Sequence, residues 1–171
     1  MKGSLLQRIN QMIRQLLPVS LVLILILVNA LPSRLPGFAA VAPLLPLIGV
    51  YYWSIYRPDL MPPAMAFGLG LLNDVIAGLP LGVSSLIYLL VQGMTASQRR
   101  FFHGKPFRIA WWGFGLVSSG AFILQWLLVS ALVKHALEPR AVVFEFLMTL
   151  FFYPLLSWLF ARTQLALLRS A

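Results

Sequence analysis

The sequence predicts an all-α membrane protein, a polytopic transmembrane bundle of about six spans. Three observations carry that prediction. The 171-residue chain is 60% hydrophobic and 10% charged, against roughly 45–50% and 25% in soluble domains. Apolar stretches near the ~20 residues that cross about 30 Å of hydrocarbon recur along it. Those stretches are continuous rather than alternating, which excludes a transmembrane β-barrel.

The first 17 residues read as a separate unit ahead of a transmembrane domain covering residues 18–171. Leu5, Leu6, Ile9, Met12, Ile13, Leu16 and Leu17 recur at helical spacing, and Gln7, Arg8, Asn10, Gln11, Arg14 and Gln15 fill the other face. This pattern predicts an amphipathic helix on the inner leaflet, before the chain turns in at Pro18. The competing reading is a signal-peptide n-region, because Val28-Asn29-Ala30 resembles a cleavage site. It ranks lower, since losing the first span would leave an odd number of helices.

The predicted spans cover residues 18–31, 39–56, 60–78, 81–95, 109–133 and 141–161. The first and fourth are short and borrow flanking residues. Gly78-Leu79-Pro80-Leu81-Gly82 predicts a tight turn, making spans three and four antiparallel neighbours. A five-span chain would merge those two, and Pro80 between two glycines argues against it. The 99–108 loop interleaves charge with aromatics and reads as an interfacial anchor ahead of a docking site for a cytoplasmic protein.

The net charge is +9. In a soluble protein that would suggest nucleic acid, but no such motif is present and the basic residues cluster between apolar runs. With the N-terminus inside, ten of the thirteen Lys and Arg residues fall on the inner side; Arg34, Lys134 and Arg140 fall outside. That asymmetry predicts cytoplasmic termini facing anionic lipid. Cysteine is absent, which removes disulfides, thiol nucleophiles and Cys-based metal sites.

Nothing in the pattern points to catalysis. His103 and His135 fall in loops on opposite sides. Gly68-Leu69-Gly70 lies within a membrane helix and is no nucleotide fingerprint. No cofactor is implied.

Asp74 is the informative residue, one of four acids and set in an unbroken apolar run. A carboxylate near the bilayer centre costs roughly 2.5–3.5 kcal/mol on insertion scales, so the fold has to hold it. Ala66, Gly70, Asp74 and Gly78 recur every four residues, with Ala64 and Gly68 on an adjoining stripe. Small residues let a second helix approach closely, so Asp74 is expected to face a helix rather than lipid. A buried hydrogen bond or ion pair is the first reading, a partner or ligand contact the second, and a proton relay the last. At 1.5 Å per residue Asp74 lies roughly 20 Å along its span. Similar arithmetic puts Asn29, Asn73, Gln125 and Glu145 at the same level. These five residues are expected to form a polar layer that lines an outward-facing cavity or braces a partner-binding face.

The run from Phe67 to Gly82 resembles the bacterial MreD family of rod shape-determining proteins. The family pattern falls on Phe67, Gly70, Leu71, Asp74, Gly78, Pro80, Leu81 and Gly82, with Asn73 where relatives commonly carry an aliphatic residue. The resemblance implies a non-enzymatic inner-membrane scaffold that associates with a single-span MreC-like protein. Through that partner it would connect to the MreB cytoskeleton, a RodA-type glycosyltransferase and a class B penicillin-binding protein, organising lateral peptidoglycan synthesis and cell shape. It also implies a fold similar to the substrate-binding subunits of energy-coupling-factor transporters. A vitamin-type transporter subunit is therefore the alternative function.

Overall fold

The computed structural model describes residues 3–31, 42–135 and 137–169. Among them every regular element is helical: α1 (Gly3–Ala30), α2 (Leu45–Tyr56), α3 (Pro63–Ala77), α4 (Val83–Ser97), α5 (Arg99–Phe102), α6 (Phe107–Val133) and α7 (Pro139–Arg169). Three are long and apolar enough to cross a membrane, at Gln7–Ala30, Phe107–Val133 and Pro139–Ala166. The α3 and α4 helices are shorter, 15 residues each, and α2 has 12. Each of the six predicted spans overlaps one helix, and α3 and α4, which a five-span chain would merge, are separate helices. Arg34 and residues 39–41, which the prediction placed outside and at the start of span two, lie outside the described residues.

The core is built around α2. Its sequence, Leu-Pro-Leu-Ile-Gly-Val-Tyr-Tyr-Trp-Ser-Ile-Tyr, has no polar face, and every residue from Pro46 to Ile55 is buried. A helix apolar all round can sit in a core or in lipid, and α2 is enclosed, touching α1, α4, α5 and α7. A side chain on Gly49 would meet Val22 Cγ2 at 2.7 Å, so glycine sets the α1–α2 approach. Leu44 N donates to Thr149 Oγ1 (2.9 Å), tying the α2 entrance to α7. The Tyr51 ring meets Phe114 and Tyr153 edge-on at 5.1 and 5.9 Å, and its hydroxyl donates to the Ala110 carbonyl at 3.0 Å. Tyr51, Tyr52 and Trp53 are all core residues.

The long helices α6 and α7 run antiparallel. Trp126 Nε1 donates to the Leu137 carbonyl across their connection (3.0 Å). Further along, α7 passes through Pro154 without ending. Proline has no N–H, which deprives the carbonyl four residues earlier of its usual donor. That carbonyl belongs to Leu150, and Trp111 Nε1 of α6 donates to it at 3.2 Å. An interhelical bond replaces the lost intrahelical one.

Two expectations about loops and ends change. The 99–108 segment holds the short helix α5, and Phe102 is buried against Tyr51 with centroids 6.5 Å apart, so the loop is anchored in the core. The chain also makes no turn at Pro18: α1 continues through it. Before Pro18, Leu5, Ile9, Met12, Ile13 and Leu16 are all more than half exposed. Packing against the bundle begins near Pro18 and Val22.

Candidate functional site

The α3–α4 hairpin carries the residues singled out by sequence, and these helices make the most extensive contact in the bundle. Pro63 opens α3 in the position where a missing N–H costs nothing. On the face toward α4, Ala66, Leu69, Gly70, Asn73 and Asp74 are buried. Gly70 sets the spacing. A Cβ there would collide with Ser85 Cα and lie 2.5 Å from Ser85 N and 2.8 Å from the Ser84 carbonyl carbon. These are backbone atoms, so the neighbour cannot yield by changing rotamer.

Asp74 lies in the last turn of α3, and both its main chain and its side chain help to end one helix and start the next. Its carbonyl accepts from Leu79 N (3.0 Å) and from Gly78 N, while Gly78 takes a left-handed φ of 68° that closes α3. The chain then crosses Pro80 and re-enters a helix at Gly82, φ 100°. Here α4 presents backbone N–H groups with no intrahelical acceptor. Gly82 N donates to Asp74 Oδ2 at 2.9 Å and Ser84 N to Asp74 Oδ1 at 3.0 Å. Val83 N donates to the Pro80 carbonyl at 3.3 Å. Asp74 is thus the N-terminal cap of α4, supplied from the preceding helix. Its negative charge also faces the positive end of the α4 dipole. Asn73 completes the lock, with Nδ2 donating to Ser84 Oγ at 3.0 Å.

This arrangement answers how the fold holds a carboxylate at zero exposure. Both oxygens are hydrogen-bonded, and Asp74 makes no ion pair among the described residues. The described ion pair is Arg57 with Asp59, 3.4 Å apart and largely exposed. Lys134 sits at the exposed end of α6, where its φ of 56° closes the helix.

The structure brings only part of the predicted set together. Gly70, Asn73, Asp74 and Gly82 meet at the α3–α4 junction, and Gly78 and Pro80 shape the turn between. Phe67 points away from that junction and is 45% exposed. Asn29 on α1, Gln125 on α6 and Glu145 on α7 are half-buried, and none hydrogen-bonds through its side chain to Asn73 or Asp74 among the described residues. Glu145 contributes its carbonyl to Thr149 Oγ1 at 2.7 Å. Sequence reasoning missed Ser84, whose amide and hydroxyl both serve the lock. The clue was present, since Gly82-Val83-Ser84-Ser85 starts an apolar helical run with an N-capping composition. Gln92 donates from Nε2 to the Met61 carbonyl (3.1 Å).

The clefts in the described surface include three of note. One of about 570 Å³ lies between α2, α6 and α7, a second of about 380 Å³ between α6 and α7, and a third of about 270 Å³ between α4 and α6. None is lined by Asn29, Asn73, Asp74, Gln125 or Glu145. No group of three or more potential metal ligands occurs among the described residues.

A bundle strand-free among the described residues, with three membrane-length apolar helices and a buried carboxylate given over to a helix cap, is a helical membrane protein. The model of the family described as rod shape-determining protein MreD matches residues 9–163, nearly the whole chain. The chain belongs to that family, and with it to the determination of rod shape. No curated protein and no solved structure matches it.

Proposed function

We propose that this protein is a non-enzymatic scaffold subunit of the elongation machinery in the bacterial inner membrane. It binds an MreC-like single-span protein through a helix face and so helps to organise lateral peptidoglycan synthesis. The MreB cytoskeleton, a RodA-type glycosyltransferase and a class B penicillin-binding protein are its indirect partners. Both termini lie in the cytoplasm, an orientation supported by the basic-residue asymmetry.

One observation carries this reading beyond the family. While one face of α3 is sealed against α4, the other is open: Ala64 and Gly68 are exposed, and a Cβ on Gly68 would meet nothing within 4 Å. Phe67 and Val75, 45% and 66% exposed, flank this stripe. Two small residues four apart on a lipid-facing helix form the close-packing surface that a second membrane helix uses. The Asp74 lock supports it by fixing how α3 is presented. A vitamin-type transporter subunit, whose fold the family resemblance brings into view, would need convergent polar groups lining a pocket, and the described clefts are mainly aromatic and aliphatic.

The test is affinity purification of the full-length protein in mild detergent, with co-purifying proteins identified. Recovery of an MreC-like single-span protein, reduced by Gly68→Leu without loss of the bundle itself, supports the scaffold. Recovery of an ATPase module with a bound vitamin overturns it.

A further inference from the structure

The largest of the described clefts has features that the scaffold role does not use. It is bounded by Tyr52 and Tyr56 of α2, Phe107 of α6 and Trp158, Gln164 and Leu165 of α7, and its volume of about 570 Å³ falls in the ligand-pocket range of roughly 300–1,000 Å³. Its wall is almost wholly apolar, and Trp158, Leu165 and Phe107 open it sideways, being 57%, 55% and 45% exposed. A cleft that opens laterally at membrane-spanning helices faces acyl chains.

The rim is polar and basic. Arg162 sits one turn beyond Trp158, with its guanidinium 4.8 Å from the centre of the Trp158 ring. Cation–π contact parks the positive charge on the residue that forms the cleft wall. Arg162 has no carboxylate partner among the described residues, whose one ion pair is Arg57–Asp59. Across the opening, Tyr52 Oη donates to Gln164 Oε1 at 3.3 Å, which leaves the Gln164 amide nitrogen as a donor at the same level. Arg108, next to Phe107 in the first turn of α6, is also exposed and, among the described residues, unpaired. An apolar slot below, with an uncompensated cation and an amide donor above, complements one class of molecule.

We infer that the α2–α6–α7 cleft binds an anionic glycerophospholipid, its acyl chain against Trp158 and Phe107 and its phosphate at Arg162 and Gln164. Charge selects the lipid. A zwitterionic headgroup brings its own cation to a rim that already holds one, whereas an anionic headgroup neutralises it. The site lies at the end of the bundle where Arg57, Arg99, Arg100, Lys105 and Arg108 also fall in sequence, the end assigned to the anionic leaflet.

The experiment is native mass spectrometry of the full-length protein released from nanodiscs of equal parts phosphatidylglycerol and phosphatidylethanolamine. The wild type is expected to retain phosphatidylglycerol over phosphatidylethanolamine by about fivefold, the factor for one basic residue near an anionic surface. Arg162→Gln should bring that ratio close to one. Arg140→Gln, at the opposite end of α7, should leave it unchanged. Ala161→Trp, which fills the cleft, should remove one retained lipid while the protein still elutes as a monodisperse helical species. Equal retention of the two lipids by the wild type overturns the proposal, as does a preference that survives both Arg162→Gln and Ala161→Trp.

Discussion

The Asp74 carboxylate reaches across the α3–α4 turn to accept the backbone N–H of Ser84, ten residues later, at 3.0 Å. With its other oxygen on Gly82 N, one side chain supplies the cap that α4 lacks in its own sequence, since Gly82 has no side chain to offer. The acid in the Phe67–Gly82 run thereby fixes the angle and register at which two short helices leave a tight turn.

Substitutions at Asp74 should therefore act through stability. Asp74→Ala leaves two buried N–H groups without acceptors, and each unsatisfied group costs about 1–3 kcal/mol. Asp74→Asn keeps one acceptor oxygen and should lose about half as much. Thermal unfolding in detergent, followed by circular dichroism, should rank wild type above Asn and Asn above Ala. Equal melting temperatures and equal membrane levels for all three would refute the capping role.

Two glycines only two residues apart in α3 should behave oppositely. Gly70→Ala drives a methyl into the backbone of Ser85, an overpacking that costs about 1–3 kcal/mol. Gly68→Ala meets open space and should shift stability by no more than about 0.5 kcal/mol. Their melting temperatures in the same detergent check both.

The Trp111–Leu150 bond should matter only because Pro154 is present. Trp111→Phe removes the donor and is expected to cost about 1 kcal/mol. Pro154→Ala restores an N–H within α7 that can serve the Leu150 carbonyl, so Trp111→Phe should cost much less in that background. A double-mutant cycle of unfolding free energies reads the coupling, and additive effects would contradict it.

Because the natural chain has no cysteine, single introduced cysteines report topology cleanly. Cysteines replacing Lys105 and Ala171 should react with an impermeant maleimide only after spheroplasts are opened. One replacing Glu138 should react in intact spheroplasts. The opposite pattern would invert the orientation drawn from the basic residues.

Much of the fold was legible because membrane helices announce themselves by continuous apolarity. The separation of α3 from α4 could be read from Gly78, Pro80 and Gly82, and the burial of Asp74 from the small residues at its spacing. Among the described residues the predicted polar layer does not form a connected network. Asn29, Gln125 and Glu145 share a depth with Asp74 on a linear scale, but depth says nothing of azimuth, and a side chain at the right height can face another neighbour.

The sequence by itself determined the class of the protein, its helices, its hairpin turn and its place in the MreD family, all of which depend on local composition and short spacings. Only the tertiary structure decided what Asp74 bonds to, that α2 is the enclosed centre, and that Trp111 serves the carbonyl freed by Pro154. These depend on which helix faces which, and that is settled by close packing between segments far apart in the chain. A residue such as Gly70 sets that packing by what it leaves out.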